Sequence, residues 1–484
     1  MSVAGTTGLV TRALRNTALM LVARTASRLL ALVTVFAAAA GLGDALFGRM
    51  QLAITIGAVV SIVVDLGFNN LYVREAARKP QELDRYLRNV LSSRLLLAVI
   101  AFAVLAGGLA VYGLDDLLAA SFATMVLSAY ANVLRSTFYA SGRLGYEAVA
   151  ILMEAAILLG LTLAGVRAHA GVAWFLWAYA ASYAVSSTYF VIVITLRGIA
   201  RLGWQFEPAF FWDWLKLSLP FAATFFLTTV YFKSDQPILK LFRSFEEVGW
   251  YAFAYKPFEA LLFIPGTMLN VVFPVLGVYY RQSNERFLLA VSRFYKALLA
   301  LGWSASVGVI LLAPGINGLF DRSHRFGPAA AALAILGAGI FLMFVTTAFV
   351  GALNASDRQH LFMWAAAATL AANVILNFVL IPRFGYLGAA WATNVTEAVL
   401  LAVGWWLVAR DLGRVPLHRL SWRIGVAGLV MAIPLWFMRG WTGWHVLIAI
   451  LVATVVYGVT VLAIRAFDAE EMAMLRRMLA SRSA

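Results

Sequence analysis

The chain has 484 residues, of which 63% are hydrophobic and only 13% charged, and its mean hydropathy is +0.85. A water-soluble protein of this size needs roughly a quarter of its residues charged to dress its surface, so a soluble class is excluded. The lack of cysteine excludes disulfides, cysteine-ligated metals and a cysteine nucleophile, and five histidines without H-x-x-x-H spacing offer no metal site.

Apolar stretches near the ~20 residues that cross a bilayer as a helix follow one another along the whole chain. They fall at 17–40, 46–68, 89–112, 118–139, 147–167 and 172–196, then at 214–240, 249–279, 288–313, 327–352, 360–382 and 387–409. Two more, 421–438 and 443–465, complete fourteen. With the N-terminus in the cytoplasm, the inside segments hold 25 Lys and Arg against 8 outside. That bias follows the positive-inside rule and places both termini in the cytoplasm of a plasma (inner) membrane. It also accounts for most of the net charge of +15, which suits anionic inner-leaflet lipids and gives no reason to expect nucleic acid. Arg12 and Arg15 before an apolar run ending in Ala37–Ala40 imitate a signal peptide.

An internal repeat argues that this first helix is retained. Ala140-Ser141-Gly142-Arg143 follows the fourth span and Ala355-Ser356-Asp357-Arg358 the tenth; Gly171-Val172-Ala173-Trp174 opens the sixth and Gly388-Ala389-Ala390-Trp391 the twelfth. A fainter echo pairs Phe47-Gly48-Arg49-Met50 with Val248-Gly249-Trp250-Tyr251. Each match is weak, but three in order across two blocks of six spans indicate two halves of the same orientation. The expected fold is an all-α integral membrane protein with about 14 transmembrane helices: two parallel six-helix lobes around a central cavity, plus two C-terminal helices. The expected boundaries are 1–196 for the first lobe, 197–213 for an interfacial linker acting as a hinge, 214–410 for the second lobe, 411–466 for the last two helices and 467–484 for a cytoplasmic tail. Asp468 and Glu471 are spaced as a capping pair for a short tail helix.

A charged residue within a span costs a few kcal/mol and is a functional-site candidate by default. Arg24 and Arg28 lie four apart on one face of the first helix, so they repel unless water, a carboxylate or an anionic ligand stands opposite. Snorkelling to the inner leaflet is the alternative for this pair, and it is the preferred reading for Arg94; Arg135 admits either. Lys233 and Asp235, two apart, point to different faces of the seventh span. Lys256 and Glu259, three apart in the eighth, can neutralise one another. Asp65, Glu154 and Glu397 supply carboxylates, with Asp65 open to a helix-end role. Pro220, Pro265 and Pro274 bend the seventh and eighth spans. Cations from both halves facing one cavity would accept an anionic group such as a pyrophosphate.

Several motifs carry a resemblance to a known family: Val64-Asp65-Leu66-Gly67-Phe68-Asn69 with Val73-Arg74-Glu75-Ala76-Ala77-Arg78; Gly249-Trp250-Tyr251-Ala252-Phe253-Ala254; and Leu353-Asn354-Ala355-Ser356. The most specific is Asn377-Phe378-Val379-Leu380-Ile381-Pro382-Arg383-Phe384-Gly385-Tyr386-Leu387-Gly388-Ala389-Ala390. In these motifs the chain resembles the polysaccharide (O-antigen and exopolysaccharide) flippases of the multidrug/oligosaccharidyl-lipid/polysaccharide exporter superfamily, over nearly its whole length. The resemblance implies two lobes around a cavity of alternating access, and a polyprenyl-pyrophosphate-linked oligosaccharide as cargo for polysaccharide or lipopolysaccharide biosynthesis. It also implies an H+ or Na+ gradient as the drive with no other cofactor, and a glycan polymerase and other envelope-assembly proteins as partners.

The motifs lie at helix ends and turns, so they mark the scaffold and leave the cargo open. A peptidoglycan lipid-precursor flippase and a cation-coupled drug antiporter of the same superfamily are the rival readings. A major-facilitator transporter would need a basic, Gly-containing turn where Leu71–Arg88 stands. A membrane glycosyltransferase or polymerase has only Asp115-Asp116 to recommend it, and that loop is too short to hold an acceptor, so no enzyme is expected.

Overall fold

The computed structural model describes residues 3–321, 324–468 and 470–471, with side chains for Met20 and from residue 22 onward. The side chains of Arg12 and Arg15, together with Arg322, Arg476, Arg477 and Arg482 and the tail beyond Glu471, lie outside the described residues. Those described form helices and turns, with no strand among them. The helices are α1 (Val3–Leu42), α2 (Asp44–Asp65), α3 (Phe68–Arg78), α4 (Leu83–Ala110), α5 (Leu118–Ala140), α6 (Leu144–Arg167), α7 (Val172–Leu196) and α8 (Pro208–Lys233). They continue with α9 (Asp235–Phe242), α10 (Phe245–Leu261), α11 (Phe263–Gln282), α12 (Asn284–Phe320), α13 (Ala329–Ala355), α14 (Gln359–Asp411), α15 (Leu417–Met438) and α16 (His445–Ala463).

Among the described residues, 13 helical stretches are long and apolar enough to cross a membrane. One of them, α14, is 53 residues long, about 80 Å at 1.5 Å per residue, far beyond a hydrocarbon core of ~30 Å. Gly385 breaks it, at φ 57° and ψ −139°, and Gly388 lies where an added Cβ would stand 2.5 Å from the Leu380 carbonyl oxygen. Pro382, Gly385 and Gly388 thus make a tight reversal between two spans, the turn at the centre of the most specific motif, and the count becomes fourteen. The protein is a multi-pass, all-α membrane protein. The eighth span is α10 and α11 together, parted at Leu262 between Pro257 and Pro265. Exposed Val99, Ile100, Trp364, Ile375, Leu429 and Leu451 are the apolar surface that lipid covers.

The repeat reappears in backbone geometry. After α5, Ser141 N–H donates to Thr137, Gly142 to Tyr139 and Arg143 to Phe138; after α13, Ser356 donates to Ala352, Asp357 to Asn354 and Arg358 to Leu353. The third residue of each tetrapeptide is left-handed, Gly142 at φ 69° and Asp357 at φ 60°. These are the same C-terminal caps, built once with glycine and once with aspartate, which tolerates the left-handed region better than most residues.

The chain divides into two compact units, Met1–Ala252 and Phe253–Ala484, parted inside α10. In the first unit, α1 packs on α6, α5 on α7, and α2 on α4, α5 and α8. Its aromatic core gathers Phe68 and Tyr72 from α3, Phe138, Phe190, and Phe210, Phe211 and Trp214 from the start of α8. α2 meets the N-terminal part of α10 through the faint echo itself: a Cβ on Gly48 would stand 2.0 Å from the Phe245 carbonyl oxygen, and one on Gly249 2.2 Å from that of Asp44. Trp250 Nε1 donates to Asp44 Oδ2 at 3.1 Å beside them. In the second unit α13 packs on both α12 and α14. α15 and α16 lean on α12 through Leu312, Met431, Leu435, Ala449 and Ala453.

The segment expected to be a hinge is fastened along α4. Arg201 N–H donates to Asp84 at 2.8 Å, Gln205 N–H to Ser92 Oγ at 2.9 Å and Glu207 N–H to Asn89 Oδ1 at 2.9 Å, while Arg88 Nε donates to the Arg201 carbonyl at 3.0 Å. Arg85 closes on Glu207 with two nitrogens, and its guanidinium holds the Glu207 carboxyl below the usual carboxylate range. Loops without secondary structure need partners for their backbone groups, and the polar side chains at the start of α4 supply them. Trp204, Phe206 and Trp212 remain exposed, as aromatics at a membrane interface do. At the chain's other end the capping pair is present: Asp468 N–H donates to Glu471 Oε2 at 2.7 Å. Glu470 and Glu471 pair with Arg293 and Lys296 of α12 at 2.9 and 2.6 Å.

Candidate functional site

Within the spans of the first unit, ion pairs join different helices. Arg94 of α4 is 0% exposed; its Nη2 pairs with Asp65 Oδ1 of α2 at 2.5 Å and its Nη1 donates to the Ala129 carbonyl of α5 at 2.6 Å. Snorkelling, expected for Arg94 from its nearness to the span's end, is therefore wrong: a buried guanidinium with a carboxylate across the helix interface has no reason to reach for headgroups. Asp65, the last residue of α2, serves as that counter-ion. Arg135 of α5 grips Glu154 of α6 at 2.7 and 2.8 Å, and Ser186 of α7 donates to the same carboxylate at 2.5 Å. The Arg135 charge also lies over the Phe190 ring, 5.9 Å from its centroid.

A third pair contains the first of the two arginines of α1. Arg24 donates to the Tyr139 hydroxyl of α5 and lies 3.6 Å from Glu147 of α6, while that hydroxyl donates to Glu147. Glu147 is 1% exposed and Arg24 48%. One carboxylate thus answers each of Arg94, Arg135 and Arg24. Arg28 is exposed and has no hydrogen-bond or ion-pair partner among the described residues, so it is the surplus cation of the group. Two cations on one helical face can coexist because Arg24 brings its own carboxylate from the neighbouring helix.

Lys233, at the end of α8, and Asp235, at the start of α9, lie on either side of Ser234 in the seventh span, whose backbone stays helical there: Ser234 N–H donates to Val230 and Ile238 N–H to Ser234. Asp235, 4% exposed, accepts from the Tyr251 hydroxyl at 2.6 Å. Beside it Thr55 of α2 donates to the Gln236 side chain at 2.8 Å.

In the second unit Lys256 and Glu259 pair along one helix face at 3.1 Å. Glu397 is 2% exposed, in the second half of α14, on a helix stretch that also buries Thr393, Asn394 and Thr396. Asn373 and Asn377 of the first half are buried as well; Asn373 donates to Thr396 at 3.3 Å, Asn377 to Asn373 at 3.0 Å, and Asn394 to the Ile335 carbonyl of α13 at 2.5 Å. Polar groups inside a membrane span must find partners, and here the two halves of α14 and α13 provide them.

Sequence reading missed Glu147, Tyr139 and this amide–hydroxyl cluster. Glu147 is the fourth residue of α6, where a carboxylate is an ordinary helix-start charge. Asn and Thr carry no charge to flag them. The one available signal, Asn373 and Asn377 four apart in an apolar span, is read only by looking for uncharged polar residues.

Over residues 13–279, more than half of its length, the sequence matches the family described as polysaccharide biosynthesis protein. The chain belongs to that family. Among individual relatives, it is 26% identical over 166 residues to the probable low-salt glycan biosynthesis flippase Agl15 of Haloferax volcanii, covering 34% of this chain and 35% of that protein. It is 29% identical over 175 residues to the probable flippase AglR of the same organism, covering 35% and 36%. The match therefore spans about a third of the length of these relatives. Among solved structures, the Lipid II flippase MurJ in an inward closed conformation is similar with a TM-score of 0.75 at 15% identity, over 91% of this chain and 97% of that one. An inward-facing multidrug resistance transporter of the MATE family in the MOP superfamily gives 0.62 at 14% identity, over 80% and 94%. At such identities the likeness establishes the fold, which this chain shares with the superfamily.

Proposed function

We propose that this protein is a flippase that carries a polyprenyl-pyrophosphate-linked oligosaccharide from the cytoplasmic to the outer leaflet of the plasma membrane, by alternating access of two six-helix lobes, for polysaccharide or lipopolysaccharide assembly. The observation that carries the reading is the pair Arg24 and Arg28. In a chain of a polysaccharide biosynthesis family, two cations stand four residues apart in a membrane span, one answered by a carboxylate and one in surplus. A diphosphate is the complement of such a pair, since a guanidinium offers several donors to phosphate oxygens in fixed geometry. The relatives Agl15 and AglR, both named as flippases, support the same reading. The drive is an H+ or Na+ gradient, no enzymatic step is involved, and both termini face the cytoplasm.

The test is complementation. Replacing Arg24 and Arg28 together with Ala should abolish export of the glycan in a strain lacking its own flippase, while the protein still reaches the membrane in normal amount. Unchanged export would sink the reading. The fold likeness to MurJ favours a second one, a peptidoglycan lipid precursor as cargo. Rescue of a strain depleted of its lipid II flippase, without rescue of the glycan-export strain, would select it.

A further inference from the structure

Glu147 is the counter-ion of the cation that the proposed cargo needs. It is buried among α1, α5 and α6, where Arg24 lies 3.6 Å away and the Tyr139 hydroxyl bridges the two, receiving from Arg24 and donating to Glu147 Oε1. Its second oxygen, Oε2, is buried without a hydrogen-bond partner among the described residues. Arg24, by contrast, is half exposed. One member of the pair is therefore fixed and enclosed, and the other has access to what lies outside its helix. Among the described residues, the charged and titratable groups that face Glu147 are Arg24 from α1 and Tyr139 and Arg135 from α5. Arg135 is already held by both oxygens of Glu154 on α6, and α7 faces Glu154 through Ser186.

We propose that Glu147, acting through Tyr139, positions Arg24, and that a phosphate-bearing cargo which draws Arg24 away leaves Glu147 to bind a proton in its place. The proposal rests on the cargo reading above. A buried carboxylate stripped of its cation costs several kcal/mol, and such a group neutralises itself by taking up a proton. The proton comes from the aqueous phase on the loading side and goes to a carboxyl oxygen of Glu147. Tyr139 keeps its own proton, and Arg24 stays protonated throughout, exchanging one oxyanion for another. Release of the cargo returns Arg24 to Glu147 and expels the proton. Cargo and proton therefore bind together and leave together, and acid on the loading side favours loading; a proton carried outward in this way opposes an inward H+ gradient, so of the two drives above the proposal fits the Na+ gradient.

The experiment is titration calorimetry of the purified full chain in detergent with a farnesyl-diphosphate-linked glucose, whose doubly esterified diphosphate does not titrate near neutral pH. Measuring in two buffers of different ionisation enthalpy counts the protons taken up on binding. The wild-type protein should take up about one proton per probe bound, with affinity rising up to about tenfold per unit fall in pH. Glu147→Gln should bind the probe with no proton uptake and with affinity independent of pH, and Glu147→Asp should restore both. Binding to the wild type without proton uptake, or equal uptake by Glu147→Gln, overturns the proposal and leaves the cargo reading standing. No binding to the wild type at all overturns the cargo reading itself.

Discussion

Arg94 shows how little a residue's position along a span says about its fate. In the sequence it lies a few residues from the start of an apolar stretch, where a long cationic side chain ordinarily escapes to the headgroups. Nothing local reveals that Asp65, 29 residues earlier, ends its helix at the same depth and turns toward it. The pair makes a specific expectation for stability. Asp65→Ala leaves a guanidinium buried without its counter-ion and should cost about 3–5 kcal/mol, whereas the double variant Asp65→Leu with Arg94→Met should recover most of that loss. Thermal unfolding followed by loss of the monodisperse peak in detergent measures both; equal destabilisation by the single and the double variant would show that packing, and not charge, dominates there. The same logic separates the two arginines of α1, which look alike in sequence. Only the fold supplies Arg24 with Glu147 and Tyr139 and leaves Arg28 unmatched among the described residues.

At the scale of elements, close approach and backbone pairing decide what composition leaves open. Gly48 and Gly249 are two of 37 glycines in the chain, and their tetrapeptides are the weakest of the three repeat matches. In the fold they are the residues through which α2 and the start of α10 touch, each backbone lying where the other's Cβ would be. Gly48→Ala or Gly249→Ala must push the helices apart and should each destabilise by roughly 1–3 kcal/mol, the usual cost of overpacking. Gly57→Ala, with open space around it, is the control for the same unfolding measurement. The linker gives a second expectation. The Glu207 carboxyl is held below its ordinary titration range by Arg85, so the clamp on α4 contributes at neutral pH and is lost as pH falls through that lowered value. Glu207→Gln removes it at every pH. Backbone amides of Arg201, Gln205 and Glu207 should then exchange with deuterium severalfold faster, consistent with ~0.5–1 kcal/mol for one surface-type ion pair.

For the whole molecule, the natural absence of cysteine offers a direct reading of orientation. Ala168→Cys, in the exposed turn after α6, should react with a membrane-impermeant maleimide on intact cells. Gln282→Cys, at the exposed end of α11, should react only after permeabilisation. The reverse pattern would place both termini outside and invert the direction proposed for the cargo.

The sequence alone determined the class of this protein and the number of its spans. Bilayer thickness imposes the length of each apolar run, and the difference between the cytoplasmic and outer faces of the membrane imposes the charge bias between them. It also carried the repeat, because a helix-ending turn has the same backbone demands wherever it occurs, which is why Ser141-Gly142-Arg143 and Ser356-Asp357-Arg358 cap their helices with the same bonds. Lys256 with Glu259 was legible for a related reason: three residues apart is a contact the helix itself makes. Only the tertiary structure decided which charges answer which, that the linker is bound to α4, and that Glu147 and the Asn and Thr of α14 are buried with polar partners. Those outcomes depend on contacts between helices far apart in the chain, and in a membrane span, where nearly every position is apolar, periodicity does not say which face meets which neighbour.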